Sequence, residues 1–244
     1  MSQFKGNHIQ AVLFDWDMTL GATMGGVSIG ERLAALFQRV GLFHESETIA
    51  DAIEQYQEAV RSGRLWGHLI PQEKADIIHY YQQLLAILGQ PEVPPPLAEQ
   101  IYSEYAHLPF VFYEDTRPAL AALAERGLRL GIITNHSPAI RPVIERELAE
   151  FVSPEHILIS GELDLYKPDP AIFQEAAYRL ETPAQACMYI GDNLQVDAIG
   201  AVMAGGYGCG LWCDRAGEAI PDDLPPGVYR IRELSQSLAY VEAV

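Results

Sequence analysis

Short apolar runs alternate with helix-like segments through the second half of the chain. Four of these runs, 128–134, 157–160, 187–190 and 208–212, are predicted to form β-strands, and a fifth, Val12–Phe14, lies near the start. Strands that alternate with helices along a chain form a parallel sheet whose two faces are covered by the helices. The sequence therefore predicts an α/β fold built on a parallel sheet.

A block of helix-like sequence separates the first predicted strand from the other four. Between residues 22 and 111, apolar residues recur at helical spacing in four successive stripes, which begin at Leu33, Ile49, Ile77 and Leu97. Four consecutive helices predict a small bundle. We therefore expect an α/β core domain made of 1–21 and 112–244, with a helical domain, 22–111, inserted after the first strand.

The composition restricts the partners and the compartment. The net charge of −17 argues against a nucleic-acid partner, because binding to a polyanion needs a basic face. No apolar stretch has the length of a membrane span, and the first residues lack the pattern of a signal peptide. The three cysteines, an odd and low number, are typical of reduced thiols. We expect a cytoplasmic protein with no nucleic-acid or membrane partner; the oligomeric state is left open.

Four of the predicted strands are followed by residues that can carry chemistry. The first is followed by Asp15 and Asp17, and the others by Thr134-Asn135, by Lys167, and by Asp192 with Asp197. An open parallel sheet binds its ligands at the carboxyl ends of its strands. The chain has only three lysines, so a lysine at such a place is informative. The sequence therefore predicts that these side chains meet at one edge of the sheet.

Asp15 and Asp17 are two positions apart at the end of a strand, so both side chains are expected to point to the same side. Neighbouring carboxylates repel each other and are unfavourable to bury unless a cation or a proton lies between them. The pair therefore indicates a metal site or acid–base chemistry. By themselves the two residues fit a strand that ends in a solvated acidic turn equally well. The choice between these two interpretations therefore depends on the residues that follow the other strands.

Four motifs, taken in order, resemble those of the haloacid dehalogenase superfamily of phosphotransferases. They are Asp15-x-Asp17-x-Thr19, Thr134-Asn135, Lys167-Pro168-Asp169-Pro170 and Gly191-Asp192-x4-Asp197. Each motif is weak alone, but the ordered set on the predicted elements is specific. The resemblance covers 8–21 and 112–244 and implies a Rossmann-like core. The helical insert looks like the family's helical cap of the first type, as in members similar to phosphoglycolate phosphatase.

The resemblance implies catalytic roles for four residues. Asp15 is expected to be the nucleophile that forms an aspartyl-phosphate, and Asp17 the acid and base that protonates the leaving oxygen and then activates water. Thr134 and Lys167 are expected to bind the phosphoryl oxygens and to stabilise the charge of the transition state.

The resemblance also implies a metal site and two supporting residues. Mg²⁺ is the expected cofactor, held by Asp15, by Asp192 and by the main-chain carbonyl of Asp17, which together offer a hard oxygen site. Asn135 is expected to help bind phosphate through its backbone amide. Asp197 is expected to orient Lys167 or metal-bound water rather than to ligate the metal.

The presence of Asp17 favours one reaction within the superfamily. Members that cleave carbon–halogen bonds do not need a metal and lack an acid at this position, so an Mg²⁺-dependent phosphomonoesterase that acts on a small phosphorylated metabolite is the leading hypothesis. Two alternatives stay open: a sugar phosphomutase similar to beta-phosphoglucomutase, and a non-catalytic relative that binds a phosphate ligand. The leaving group is not identified by the sequence.

Two further features bear on activity and specificity. Met18 stands where the family usually has glycine, a residue that permits unusual backbone angles, so the local turn is the main irregularity of the first motif. The segment Arg61–His68, between two predicted helices of the insert, has cations, an aromatic ring and glycines. It is a hypothetical contact for the leaving group, although an ordinary exposed connection is the favoured interpretation.

Overall fold

The computed structural model describes residues 8–69, 71, 73–217 and 223–241. Short 3₁₀ turns connect several of its helices and strands. In chain order the elements are β1 (Ala11–Phe14), β2 (Gly21–Thr23), α1 (Ile29–Arg39), α2 (Ser46–Arg61), α3 (Lys74–Ile87), α4 (Pro95–Glu104), β3 (Phe110–Phe112), α5 (Thr116–Glu125), β4 (Arg129–Thr134), α6 (Arg141–Leu148), β5 (Ile157–Ile159), α7 (Ser160–Leu163), α8 (Pro170–Arg179), β6 (Cys187–Gly191), a π-helix (Leu194–Ala204), β7 (Cys209–Cys213) and β8 (Val228–Ile231).

The predicted α/β fold is confirmed. The five apolar runs form β1, β4, β5, β6 and β7, and the four helical stripes form α1 to α4. The sequence does not predict β2 and β3, because three residues are too few to show a periodicity. It also misses β8, an edge strand whose central two residues are only half-buried and which therefore lacks a continuous apolar run.

Six strands form one parallel sheet in the order β5-β4-β1-β6-β7-β8. From β1 the chain adds β4 and β5 on one side, and then returns to add β6, β7 and β8 on the other side. The strand order therefore reverses next to β1. The crevice outside the carboxyl ends of the strands at such a reversal is where open α/β sheets bind their ligands.

The central strands are buried on both faces. All four residues of β1 are fully buried, as is most of β4. On one face, Leu13 of β1 belongs to the same apolar cluster as Phe173 of α8. On β7, Gly210 allows the π-helix to approach, because a Cβ at this position would lie 2.3 Å from the carbonyl oxygen of Ala198. Helices therefore pack on the sheet, as expected for strands that are apolar along their whole length.

Helices α1 to α4 pack around an apolar core of their own, which includes Leu36, Phe37, Ile49, Tyr56, Leu84, Leu85 and Ile101. Local signals in the sequence mark the start of two of these helices, α1 and α4. Ser28 and Glu31 form a capping box, in which each side chain accepts a hydrogen bond from the other's main-chain N–H. Pro95 occupies the first turn of α4, where its missing N–H has no effect on the helix.

The described residues fall into two compact units. The sheet unit contains the described residues up to Ala22, Val111–Asn135 and those from Arg141 onward, and the helical unit contains those of Thr23–Phe110 together with His136–Ile140. Within the helical unit, the ring of His136 lies 5.5 Å from the ring of Tyr105. None of the helices in the described ranges is long and apolar enough to cross a membrane.

Candidate active site

The carboxyl ends of β1, β4 and β6 meet at the reversal of strand order. Asp15 directly follows β1, and its main-chain N–H donates to the carbonyl of Ile190 in β6 (2.9 Å). Thr134 is the last residue of β4 and is buried, while Asp192 directly follows β6. Because β1 pairs with both β4 and β6, these three residues are brought to one edge of the sheet.

Lys167 lies at this edge with its ammonium group buried. Its Nζ lies 2.7 Å from Asp15 Oδ1, 2.7 Å from Asp197 Oδ1 and 2.8 Å from the phenol oxygen of Tyr189. These three acceptors match the three N–H donors of the ammonium group. Burial by itself disfavours the charged form, but the carboxylates of Asp15 and Asp197 outweigh it and raise the pKa of Lys167 to about 12. The lysine is therefore a fixed positive charge beside Asp15.

Tyr189 and Asn135 help to hold Lys167 in place. Tyr189, in β6, donates its hydroxyl hydrogen to the carbonyl of Ile133 (2.7 Å) and accepts a hydrogen bond from Lys167 Nζ. Asn135 makes a reciprocal pair with the main chain of Lys167: the lysine N–H donates to Asn135 Oδ1 (2.9 Å), and Asn135 Nδ2 donates to the lysine carbonyl (3.0 Å). The side chain of Asn135 thus joins the end of β4 to the lysine segment.

Asp197 supports Lys167 from the π-helix. One of its carboxylate oxygens accepts from Lys167 Nζ, and the other accepts from the main-chain N–H of Asn193 (3.0 Å). This close approach requires glycine at position 191, since a Cβ there would lie 2.3 Å from Asp197 Cγ. Both carboxylate oxygens of Asp197 are therefore engaged. Of the two roles predicted for this residue, orienting Lys167 or orienting metal-bound water, these contacts favour the first.

Asp15, Asp192 and Asp197 form an acidic group in which one carboxylate oxygen from each lies within 4.8 Å of the others. Burial raises the pKa of Asp15 to about 7, with the charge of Asp197 adding to the effect and that of Lys167 opposing it. Burial likewise raises the pKa of Asp192 to about 8, with further contributions from Asp15 and Asp197. One buried lysine is therefore too little positive charge for three carboxylates, and oxygen ligands so crowded fit a divalent cation.

The remaining predicted residues lie close by in the chain. Asp17 is half-buried, and its carboxylate does not belong to the acidic group of described residues above. Its electrostatic influence nevertheless raises the pKa of Asp192, after larger contributions from burial and from Asp15 and Asp197. The metal contact expected of Asp17 is through its main-chain carbonyl, and that contact stays a prediction.

The turn that carries Asp17 is held by contacts to its main chain. Within it, Met18 has a φ of 61°, in the left-handed region where glycine carries no steric penalty. The irregularity expected from the sequence is therefore real: the backbone keeps the glycine-like conformation although the residue is methionine. The contacts are Leu20 N–H to the Trp16 carbonyl (3.1 Å), Arg215 Nη2 to the Thr19 carbonyl (3.0 Å) and the Thr116 hydroxyl to the Leu20 carbonyl (2.6 Å).

Two residues of this region, Tyr189 and Arg215, are not among those that the sequence predicts for the site. The signal for Tyr189 was present, because a tyrosine inside a fully buried strand needs a partner for its hydroxyl group. Arg215 follows β7, and its guanidinium also binds the carboxylate of Asp115 (3.1 Å). No local pattern connects Arg215 to the first motif, almost 200 residues earlier.

The segment Arg61–His68 lies in the helical unit, where it begins at the last residue of α2 and continues toward α3. The Trp66 side chain is exposed, with its ring 5.0 Å from that of His79. The phenol of Tyr56 donates to the carbonyl of His68 (3.1 Å). A contact between this segment and a leaving group stays a prediction.

Comparison of the sequence with known proteins shows which family the chain is similar to. A family model of haloacid dehalogenase-like hydrolases matches residues 9–205. A glyceraldehyde 3-phosphate phosphatase of Methanopyrus kandleri is 31% identical over 81% of this chain and 81% of its own length. A phosphoserine phosphatase of Thermus thermophilus is 34% identical, but the match covers 55% of this chain and 54% of that relative, about half its length.

A solved structure agrees with the fold along almost the whole chain. The crystal structure of a 2-haloacid dehalogenase from Pseudomonas syringae superposes with a TM-score of 0.63 at 25% identity, and covers 95% of this chain and 97% of that one. The similarity therefore extends to relatives that are named for two different reactions.

Proposed function

Because the chain belongs to the haloacid dehalogenase-like hydrolases, we propose that it hydrolyses the phosphate monoester of a small metabolite. The observation that carries this proposal is Asp17, an acid two residues from the proposed nucleophile Asp15. An alcohol leaving from phosphate needs a proton on its oxygen, whereas a halide ion leaves without one. The names of the phosphatase relatives support the same choice over dehalogenation.

In the first step of the proposed reaction, a carboxylate oxygen of Asp15 attacks phosphorus and the bond to the leaving oxygen breaks. Asp17 donates a proton to that oxygen, so the leaving group departs as a neutral alcohol. The buried ammonium of Lys167 and the hydroxyl of Thr134 bind the phosphoryl oxygens and stabilise the charge that spreads over them. The product is a phosphoryl group on Asp15.

In the second step, the phosphoryl group passes from Asp15 to water. Asp17, now ionised, takes a proton from the water molecule as its oxygen attacks phosphorus, and the bond to Asp15 breaks. Inorganic phosphate leaves, and both carboxyl groups return to their starting states. One half-buried acid therefore serves both steps, which its partial exposure to water allows.

The acidic group indicates where a metal ion would be held. Asp15 and Asp192, with the main-chain carbonyl of Asp17, are the proposed ligands of Mg²⁺, and Asp197 would stay with Lys167. Bound there, the ion would offset the repulsion between the phosphate and the Asp15 carboxylate.

Phosphate release from a panel of phosphorylated metabolites tests the proposed function. We expect one or more monoesters to be hydrolysed in Mg²⁺, with activity lost in EDTA and restored by added Mg²⁺. Chloride release from 2-chloropropionate is the matched assay for dehalogenation and is expected to be absent. Conversion of a sugar 1-phosphate to its 6-phosphate without free phosphate would instead identify a mutase, and a complete lack of turnover would favour a non-catalytic role.

Mg²⁺ is expected to bind more tightly as the pH rises. Asp15 and Asp192 have pKa values of about 7 and about 8 in the metal-free fold, above the value of about 3.9 in an unfolded chain. The metal-free folded protein therefore loses stability as the pH rises from about 4 to about 8, because burial opposes the ionisation of these two carboxyl groups in the folded protein. Metal competes with these protons, so its affinity should increase at least about tenfold from pH 6 to pH 8.

Thermal unfolding with and without Mg²⁺ measures this linkage. The rise in Tm caused by Mg²⁺ should be larger at pH 8 than at pH 6. Asp192→Asn should reduce that rise, whereas Asp51→Asn, which changes an exposed carboxylate on α2, should leave it unchanged. An Mg²⁺ effect that is independent of pH, or equal in the two variants, would contradict the assignment of the ligands.

A further inference from the structure

The left-handed conformation of Met18 is imposed by its surroundings. A side chain at a φ of 61° is typically disfavoured by about 1–2 kcal/mol relative to the right-handed region. The main chain on both sides of Met18 is fixed by the hydrogen bonds described above, so the conformation does not depend on the residue at this position. Glycine would satisfy the same turn without strain, so the methionine side chain is retained at a cost in stability.

The position of the Met18 side chain follows from its neighbours in the sheet unit. It is 37% exposed, and its sulfur lies 4.0 Å from the hydroxyl of Tyr113, which donates to it. Burial raises the pKa of Tyr113, Arg215 opposes this, and the charges of Asp17 and Asp192 add to it. The phenol therefore lies within the electrostatic field of Asp17 and Asp192, and the Met18 thioether lies beside the phenol.

The Tyr113 ring is itself held in place. The guanidinium of Arg215 lies over this ring, 4.0 Å from its centroid, and is fixed by Asp115 and by the carbonyl of Thr19. Cation–π contacts of this kind orient an aromatic side chain. Met18 and Tyr113 thus form a fixed and largely apolar surface next to Asp17.

We propose that Met18, backed by Tyr113, is a specificity-determining residue that contacts the leaving group of the substrate. The inference rests on the proposed function, in which Asp17 protonates the leaving oxygen. In this proposal the carbon atoms attached to that oxygen contact Met18, which directly follows Asp17 and exposes its thioether beside Tyr113. An exposed thioether at this place favours leaving groups with an apolar or aromatic portion near the ester bond.

Binding of two phosphonates tests this proposal without requiring turnover. Benzylphosphonate carries a ring next to phosphorus, and methylphosphonate ends one carbon from it. In calorimetric titrations with Mg²⁺, the wild-type protein should bind the benzyl compound at least about tenfold more tightly, an advantage of about 1.4 kcal/mol. Met18→Gly should lower this preference at least about fivefold, whereas Met18→Leu, which keeps the apolar bulk, should preserve it to within about twofold.

Glu181→Gly is the matched control for strain. Glu181 is exposed and also has a left-handed conformation, with a φ of 47°. Its carbonyl accepts from Arg129, the first residue of β4, so it lies at the opposite edge of the sheet from Asp15. Both glycine variants should raise the Tm by relieving strain, but Glu181→Gly should leave the phosphonate preference unchanged.

Each result decides a separate part of the proposal. An unchanged benzyl preference in Met18→Gly would overturn the role in specificity, and an unchanged or lower Tm would overturn the claim of strain. Failure of the proposed function would instead appear as an absence of phosphate release from every monoester, which the binding measurement does not involve.

Discussion

Asp15→Asn is expected to lower kcat by at least about 10⁴-fold, on the scale of losses seen when a covalent nucleophile is removed. The amide has nearly the same shape as the carboxylate but is a very poor nucleophile toward phosphorus. The structure makes this variant informative, because Asp15 is buried and in contact with Lys167, so the shape of the site is preserved. Phosphate release under saturating substrate, measured beside the wild-type protein, gives the ratio.

The stability of the same variant is the control for this experiment. Lys167 keeps its contact with Asp197, and a buried carboxylate whose pKa is raised by burial has been replaced by a neutral group. The metal-free Asp15→Asn protein should therefore unfold at the same temperature as the wild type or above it at pH 8. Turnover within about tenfold of the wild type, in a variant that is folded, would contradict a nucleophilic role for Asp15.

Lys167→Met is expected to damage both stability and activity. Removing the ammonium leaves the carboxylates of Asp15 and Asp197 buried without their cation, which typically destabilises a protein by about 3–5 kcal/mol. It also removes a fixed positive charge from the phosphoryl site, with an expected loss of about 10²–10³-fold in kcat. Urea unfolding in EDTA measures the first effect, and phosphate release in Mg²⁺ measures the second.

A double variant separates these two effects. Lys167→Met/Asp197→Asn removes one of the orphaned carboxylates, so it should recover part of the lost free energy of unfolding but none of the lost activity. Recovery of activity together with stability would mean that Lys167 acts only by supporting the fold. Full stability of the single variant would contradict the buried ionic cluster itself.

Much of this architecture could be predicted from the sequence, because it depends on local patterns. The apolar run before Asp15 and the helical stripe through Leu33 depend only on neighbouring residues, and both become the expected elements. The grouping of Asp15, Thr134 and Asp192 also follows, since the ends of parallel strands must share one edge of the sheet.

The contacts that organise the site could not be predicted in the same way. Asn135 and Lys167 are 32 residues apart and bind each other through one side chain and one stretch of main chain, a geometry that no spacing encodes. Tyr189 becomes a partner of Lys167 only because β6 places its phenol beneath the ammonium group. Arg215 reaches the turn of the first motif from the far end of the chain.

At position 18, one part of the geometry can be predicted from the sequence and another part cannot. The sequence shows that methionine replaces glycine, and elementary sterics show what such a change would require of the backbone. Only the structure shows that the backbone keeps a φ of 61° and that the thioether lies against Tyr113. The departure from the family pattern therefore gives a strained turn, and it supplies the surface that we propose for the leaving group.

In the proposed mechanism, the phosphoryl group passes through Asp15. Asp17→Asn should slow the second step by removing the base that activates water, so a substrate with a good leaving group, such as p-nitrophenyl phosphate, should leave its phosphoryl group on the protein. Acid quench in the first turnovers, followed by peptide mass mapping, locates it. We expect one phosphoryl group, on the peptide that contains Asp15. Release of p-nitrophenol with no phosphoryl group on the protein, or with one on any other residue, would contradict it.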